Sequence, residues 1–207
     1  FQTTDSSFPV RMTQYSQELR LSNDSGGRSK WIAGLYWAKS SHFFGLNLPE
    51  PTPFISATVT NELRNYAAYG QYSYSLKDEL RLVAGARISS DRFNGGGAVT
   101  LPPALGGGYD YGGAKTEQHF DWKAGVEYDV RPHSMAYFTV QTGFVQGGYT
   151  QTPIASGLPR ILKPATLLSY TAGIKNRFLD NTLQINNEIF YYDYKDLQQQ
   201  LLQGALE

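Results

Sequence analysis

The chain contains no cysteine, only two methionines and no surplus of either charge, since 18 Lys and Arg stand against 18 Asp and Glu. Each absence excludes something. Without cysteine there is no disulfide framework, zinc knuckle or thiol nucleophile, so the fold rests on packing and backbone pairing. With no net charge and no local block of Lys or Arg, no field gathers a polyanion, and nucleic acid is not an expected partner. No stretch approaches the roughly 18 to 20 consecutive apolar residues of a membrane-spanning helix. Phosphate loops, dinucleotide fingerprints and His-Glu-x-x-His sites are absent, and His42, His119 and His133 are scattered. No metal, cofactor or enzymatic activity is therefore expected.

What the chain does have is 15 Tyr, 11 Phe and 3 Trp beside 21 Gly and 10 Pro. Aromatic and β-branched residues suit pleated surfaces, and Gly and Pro punctuate turns, so the composition leans all-β. Period-2 alternation supports this. From Phe120 to Val130 the apolar series Phe120, Trp122, Ala124, Val126, Tyr128 and Val130 interleaves with Asp121, Lys123, Gly125, Glu127 and Asp129. Similar alternation runs over 82–88 and 168–178. Further strands are expected near 12–22, 30–39, 61–76, 134–144 and 182–194, about eight in all, and a short helical turn near 197–202.

The connections between these strands alternate in length. Short turns fall at 23–29, 77–79, 131–133 and 179–181, each rich in the residues that hairpins need. Long loops fall between them at 40–60, 92–116 and 145–163, each about fifteen residues or more, which a compact soluble domain seldom carries without function. Short turns at one end and long loops at the other describe an antiparallel transmembrane β-barrel segment, with periplasmic turns and extracellular loops. Strand lengths agree, because crossing a bilayer at a tilt takes about nine to eleven residues. Along Phe120–Val130 the apolar face carries aromatics at both ends and small aliphatics between, as interfacial girdles do. The opposite face then lines a water-filled lumen, which assigns Arg87, Asp121, Lys123, Glu127, Lys175 and Arg177 to the lumen wall. Glu127 and Asp129, about 7 Å apart along one face, have a spacing compatible with paired-carboxylate chemistry, but the neighbouring charges mark them as polar lining.

Several stretches resemble one family. Ser16-Gln-Glu-Leu-Arg-Leu-Ser22, Leu80-Arg-Leu-Val-Ala-Gly-Ala-Arg87, Trp122-Lys-Ala-Gly-Val-Glu-Tyr-Asp129 and Ala136-Tyr-Phe-Thr-Val-Gln-Thr-Gly-Phe144 resemble barrel strands of TonB-dependent outer-membrane receptors. The hairpin from Leu168 to Leu197, with Gly173-Ile-Lys175, Phe178-Leu-Asp-Asn181 and Tyr191-Tyr-Asp-Tyr-Lys-Asp196, is the most similar segment. Departures at Val145 and at Pro164-Ala165 are expected to leave the strand framework intact. The resemblance implies that residues 1–207 are part of a barrel of about 22 strands with a plugged lumen, the plug domain and remaining strands lying outside them. It also implies a location in the outer membrane of a Gram-negative bacterium, in contact with its lipid. The implied activity is uptake of a scarce nutrient, most often a ferric siderophore. Its energy would come from TonB and an inner-membrane complex acting through the plug.

Ligand contacts are expected on the long loops and the upper lumen wall, where aromatics among glycines offer flat surfaces at low entropic cost. The candidates are His42, Phe43 and Phe44 in the first loop, Tyr109 and Tyr111 in the second, and Gln146 and Tyr149 in the third. Two other architectures fit the same pattern. A complete eight-stranded barrel with an anchoring or adhesive role requires the strands near Met12 and Thr182 to pair, and a soluble carbohydrate-binding β-sandwich requires two packed sheets.

Overall fold

The computed structural model describes residues 6–23, 26–48, 55–148 and 162–197. Its eight strands are β1 (Val10–Ser22), β2 (Ser29–Leu48), β3 (Ile55–Ser75), β4 (Leu80–Thr100), β5 (Tyr109–Arg131), β6 (Ser134–Val145), β7 (Ala165–Phe178) and β8 (Leu183–Lys195). They form one antiparallel sheet in sequence order, each strand hydrogen-bonded to the next. Among the described residues β1 and β8 do not pair, so the sheet is open, and no second sheet packs on it. The closed eight-stranded cylinder and the two-sheet sandwich are both excluded. The expected helical turn near 197–202 falls mostly outside the described residues.

Strand pairing carries the alternation of β5 across the sheet. Leu82, Ala84, Ala86 and Ile88 stand opposite Val126, Ala124, Trp122 and Phe120, and Tyr74, Tyr72, Gly70 and Ala68 stand opposite those β4 residues in turn. On the other side Phe138 and Val140 continue the apolar face to Ala172 and Tyr170. Its large side chains are exposed, Ile88 at 62% and Phe120 at 61%. The buried residues Val59, Ala67, Val83, Ser89, Asp91, Ala165 and Ser169 all belong to the other face. The side chains of that face shade one another, as those on the concave, lumen side of a barrel wall do. The wall is apolar outside and polar inside, the reverse of a soluble domain and the arrangement a lipid environment demands.

Four strands outrun the bilayer. β2 to β5 contain 20, 21, 21 and 23 residues, against 13, 12, 14 and 13 for β1, β6, β7 and β8. They rise above the membrane as a four-stranded wall. The expected loops at 40–60 and 92–116 are therefore mostly strand, interrupted in the second case by a single 3-10 turn at Pro103–Leu105. Gly95, Gly96 and Gly97 pair with Gly113, Gly112 and Tyr111, so a glycine-rich stretch that reads as loop is ladder.

Candidate functional site

The residues expected to line the lumen all lie on the face opposite the exposed apolar one. At the periplasmic end Arg81 engages both candidate carboxylates, its Nε donating to Glu127 at 3.0 Å and its terminal nitrogens to Asp129 at 2.6 and 2.8 Å. The two acids are thereby consumed by one guanidinium and act as structure. Lys175 sits 5.2 Å from the centre of the Tyr137 ring, and Lys175, Arg177 and Asp129 border one recess at this end. Halfway up the wall Arg87 donates to Ser89 and Asn65, lies 5.6 Å from the centre of the Tyr36 ring, and is linked through Asn65 to buried Asp91. Asp121 accepts from the Thr142 hydroxyl at 3.2 Å, and that hydroxyl also takes the Trp122 N–H that a β6 carbonyl would otherwise receive. The β5–β6 ladder accordingly ends at Lys123 and Gln141.

Above this point the wall holds an open recess of about 350 Å³ lined by Ser40 and His42 of β2, Asn61 and Leu63 of β3, Phe93 of β4, and Gln146 and Gly147 beyond β6. Two of the expected ligand residues, His42 and Gln146, thus converge although 104 positions separate them. The loop reaches the recess because β5 grips it at both ends. Gly147 N–H donates to Glu117 at 3.0 Å, Glu117 is ion-paired with Lys115, Lys115 donates to the Leu162 carbonyl at 3.4 Å, and Leu162 N–H donates to the Gly148 carbonyl at 2.6 Å. A Cβ on Gly147 would fall 2.3 Å from the Leu162 carbonyl, so only glycine closes this grip. Beside it His119 stacks on Phe144 with centroids 3.4 Å apart.

The other described candidates do not join the recess. His42, Phe43 and Phe44 lie in β2, and alternation turns Phe43 to the convex face, away from His42 and Phe44. Tyr109 and Tyr111 lie in β5 with centroids 6.3 Å apart, Tyr111 folded over Gly97, where a Cβ would come within 2.7 Å of its hydroxyl. Burial there raises the Tyr111 phenol above its ordinary pKa. Tyr149 lies outside the described residues. Lys115, Glu117 and Gly147 were missed by the sequence reading. The Lys-x-Glu spacing, which puts both charges on one face of a strand, was the available signal. Among the described residues no group of three or more His, Cys, Asp and Glu could hold a metal ion.

A tall antiparallel wall with an apolar exterior and a charged interior defines a segment of an outer-membrane β-barrel. The chain belongs to the family described as TonB dependent receptor-like, beta-barrel, whose model matches residues 1–205. Its place is the Gram-negative outer membrane, and it is a receptor component rather than an enzyme. In fold it is similar to the ferric yersiniabactin uptake receptor FyuA from Yersinia pestis, with TM-score 0.83 and 21% identity over 93% of this chain and 30% of that one. It is also similar to the siderophore receptor PiuA from Acinetobacter baumannii, with TM-score 0.65 and 15% identity over 88% and 32% of the two chains. The alcaligin outer-membrane receptor FauA from Bordetella pertussis matches with TM-score 0.62 and 18% identity over 95% and 31%. The chain spans about a third of the length of these structures.

Proposed function

We propose that residues 1–207 supply eight strands of a receptor that captures a ferric siderophore at the cell surface and imports it. TonB and its energising complex would drive import by acting on a plug domain outside these residues. The observation that carries this reading is the recess on the upper wall, where His42, Phe93 and Gln146 meet beside the anchored Gly147. Its position faces the medium, and its mixture of ring, imidazole and amide groups suits a chelate that presents both flat and hydrogen-bonding surfaces. The siderophore class is supported by two fold neighbours, a ferric yersiniabactin uptake receptor and a siderophore receptor. No covalent chemistry is involved: ligand binding and plug release are coupled as a difference in binding free energy between two states.

The test has two stages. Tryptic mass spectrometry of the intact outer-membrane band should place these peptides in a polypeptide of roughly 70 to 80 kDa, the size of about 22 strands plus a plug. Uptake of 55Fe–siderophores should then fall to background when the gene is deleted and when the inner-membrane energy source is collapsed. A band near the 23.1 kDa of this chain alone, or uptake unchanged by deletion across hydroxamate, catecholate and mixed siderophores, would overturn the proposal.

A further inference from the structure

The inward face changes its chemistry with height. Toward the periplasmic end it carries Arg81, Lys123, Lys175 and Arg177, all in the phase opposite the exposed apolar residues. From the row of Arg87 and Asp121 upward every cation of that face among the described residues has a partner. Arg20 is paired with Glu18, Arg87 lies against the Tyr36 ring and reaches buried Asp91 through Asn65, and Lys115 is paired with Glu117. Asp121 adds a further negative charge, turned to the Thr142 hydroxyl. The other cations at the level of the recess, Lys39, Arg64 and Arg92, form one cross-strand row, and alternation turns it outward in phase with Trp37 and Tyr66. The recess itself is lined by hydroxyl, imidazole, amide and apolar groups, with neither Lys nor Arg among them.

This distribution sets a rule for the charge of the ligand. An anion that sheds water against such a wall meets no counter-charge, and an unpaired desolvated charge is costly. A neutral ligand escapes that cost and finds what the wall does offer. Ser40, Asn61 and Gln146 supply uncharged hydrogen-bonding groups, and Phe93 supplies a ring. Aromatic surface continues on the inward face of β8, where Phe190 stacks on Tyr192 at 4.7 Å and Tyr194 meets Tyr192 edge-on at 6.2 Å, all three exposed. Among ferric chelates the charge follows from the donor groups. Three hydroxamates, each a monoanion, balance Fe(III) and leave a neutral complex, whereas three catecholates, each a dianion, leave a polyanion.

We propose that the chelate this wall admits is electrically neutral, of the hydroxamate type, and that the absence of a free inward cation around the recess of His42, Asn61, Phe93 and Gln146 selects against polyanionic catecholates. This rests on the reading of the whole protein as a siderophore receptor and names the class of siderophore.

The experiment uses the full receptor in detergent and isothermal titration calorimetry. The probes are two ferric chelates built on one tripodal scaffold, one with three hydroxamate arms and one with three catecholate arms, so that charge differs more than shape. The native receptor is expected to bind the hydroxamate complex about tenfold or more tightly than the catecholate, with an affinity that does not change with salt, since screening acts on charge. Asn61→Lys places an ammonium among the lining residues, where Asn61 already lies over Gly95, a Cβ on which would fall 2.5 Å from its Oδ1. That variant should bind the catecholate complex about tenfold more tightly than the native receptor does and the hydroxamate complex no better. If it fails to assemble, Ser40→Lys introduces the same charge from β2 and should act in the same direction. Equal or tighter binding of the catecholate by the native receptor would overturn the inference and leave the siderophore reading standing. Binding of neither chelate would overturn both. Catecholate affinity unmoved by the added lysine would overturn the inference by showing that this wall does not meet the chelate.

Discussion

Tyr137 on β6 hydrogen-bonds Glu188 on β8 across the whole width of β7. It can do so because the residue between them in the cross-strand row is Gly173. A Cβ there would fall 2.6 Å from the tyrosine ring. The device recurs in the other half of the sheet, where Tyr69 crosses Gly34 to donate to Glu18 at 2.6 Å. In both cases a lumen-facing tyrosine covers a glycine and ties three strands together, which offsets the weakness that glycine brings to a strand.

Replacing Gly173 with leucine should push Tyr137 off Glu188 and destabilise the receptor by about 1–3 kcal/mol, the range for a hydrogen bond to a charged group. Urea unfolding followed by tryptophan fluorescence would measure it. In a Tyr137→Phe background the same substitution should cost clearly less, since the bond it breaks is already gone.

Arg81 holds Glu127 and Asp129 with its side chain only 22% exposed. Arg81→Met leaves the two carboxylates facing each other without a cation. The expected loss is about 1–3 kcal/mol, below that of a fully buried pair because water reaches the site. Adding Glu127→Gln and Asp129→Asn to the variant should recover much of the loss in the same unfolding assay.

The two faces of β5 should respond oppositely to charge. Ala124 stands mid-band on the convex face between Ala84 and Val140, and Ala124→Arg should cost about 2–4 kcal/mol and lower the folded fraction in outer membranes. Lys123 lies on the concave face, and Lys123→Gln should stay within about 0.5 kcal/mol. Equal effects at both positions would contradict the assignment of lipid and lumen sides.

The grip on the third loop gives a functional prediction. Glu117→Gln removes the ion pair with Lys115 and weakens the bond to Gly147. Faster hydrogen exchange at Gly147 and Gly148 should follow, with an apparent affinity for the proposed ligand weaker by about three- to tenfold. His42→Ala should weaken the affinity to a similar degree without changing that exchange, because His42 lines the recess without clamping the loop.

Most of the strand framework was legible in the sequence. Alternation is local: a stretch such as Phe120–Val130 states its own period and its own two faces without reference to any partner. Hairpin turns at 77–79 and 179–181 were equally readable, since their polar and left-handed residues act within a few positions. The upper wall was not readable. Gly95–Gly97 and Gly112–Gly113 have no side chains to alternate, so a ladder between them leaves no periodic trace. Nor did residue spacing bring Gln146 to His42, or Lys39, Arg64 and Arg92 into one row. The sequence by itself determined that this chain forms amphipathic strands with one face for lipid and one for water, because that information is periodic and local. The tertiary structure alone decided which residues of different strands stand side by side, because cross-strand register is a long-range property of the closed set of backbone hydrogen bonds.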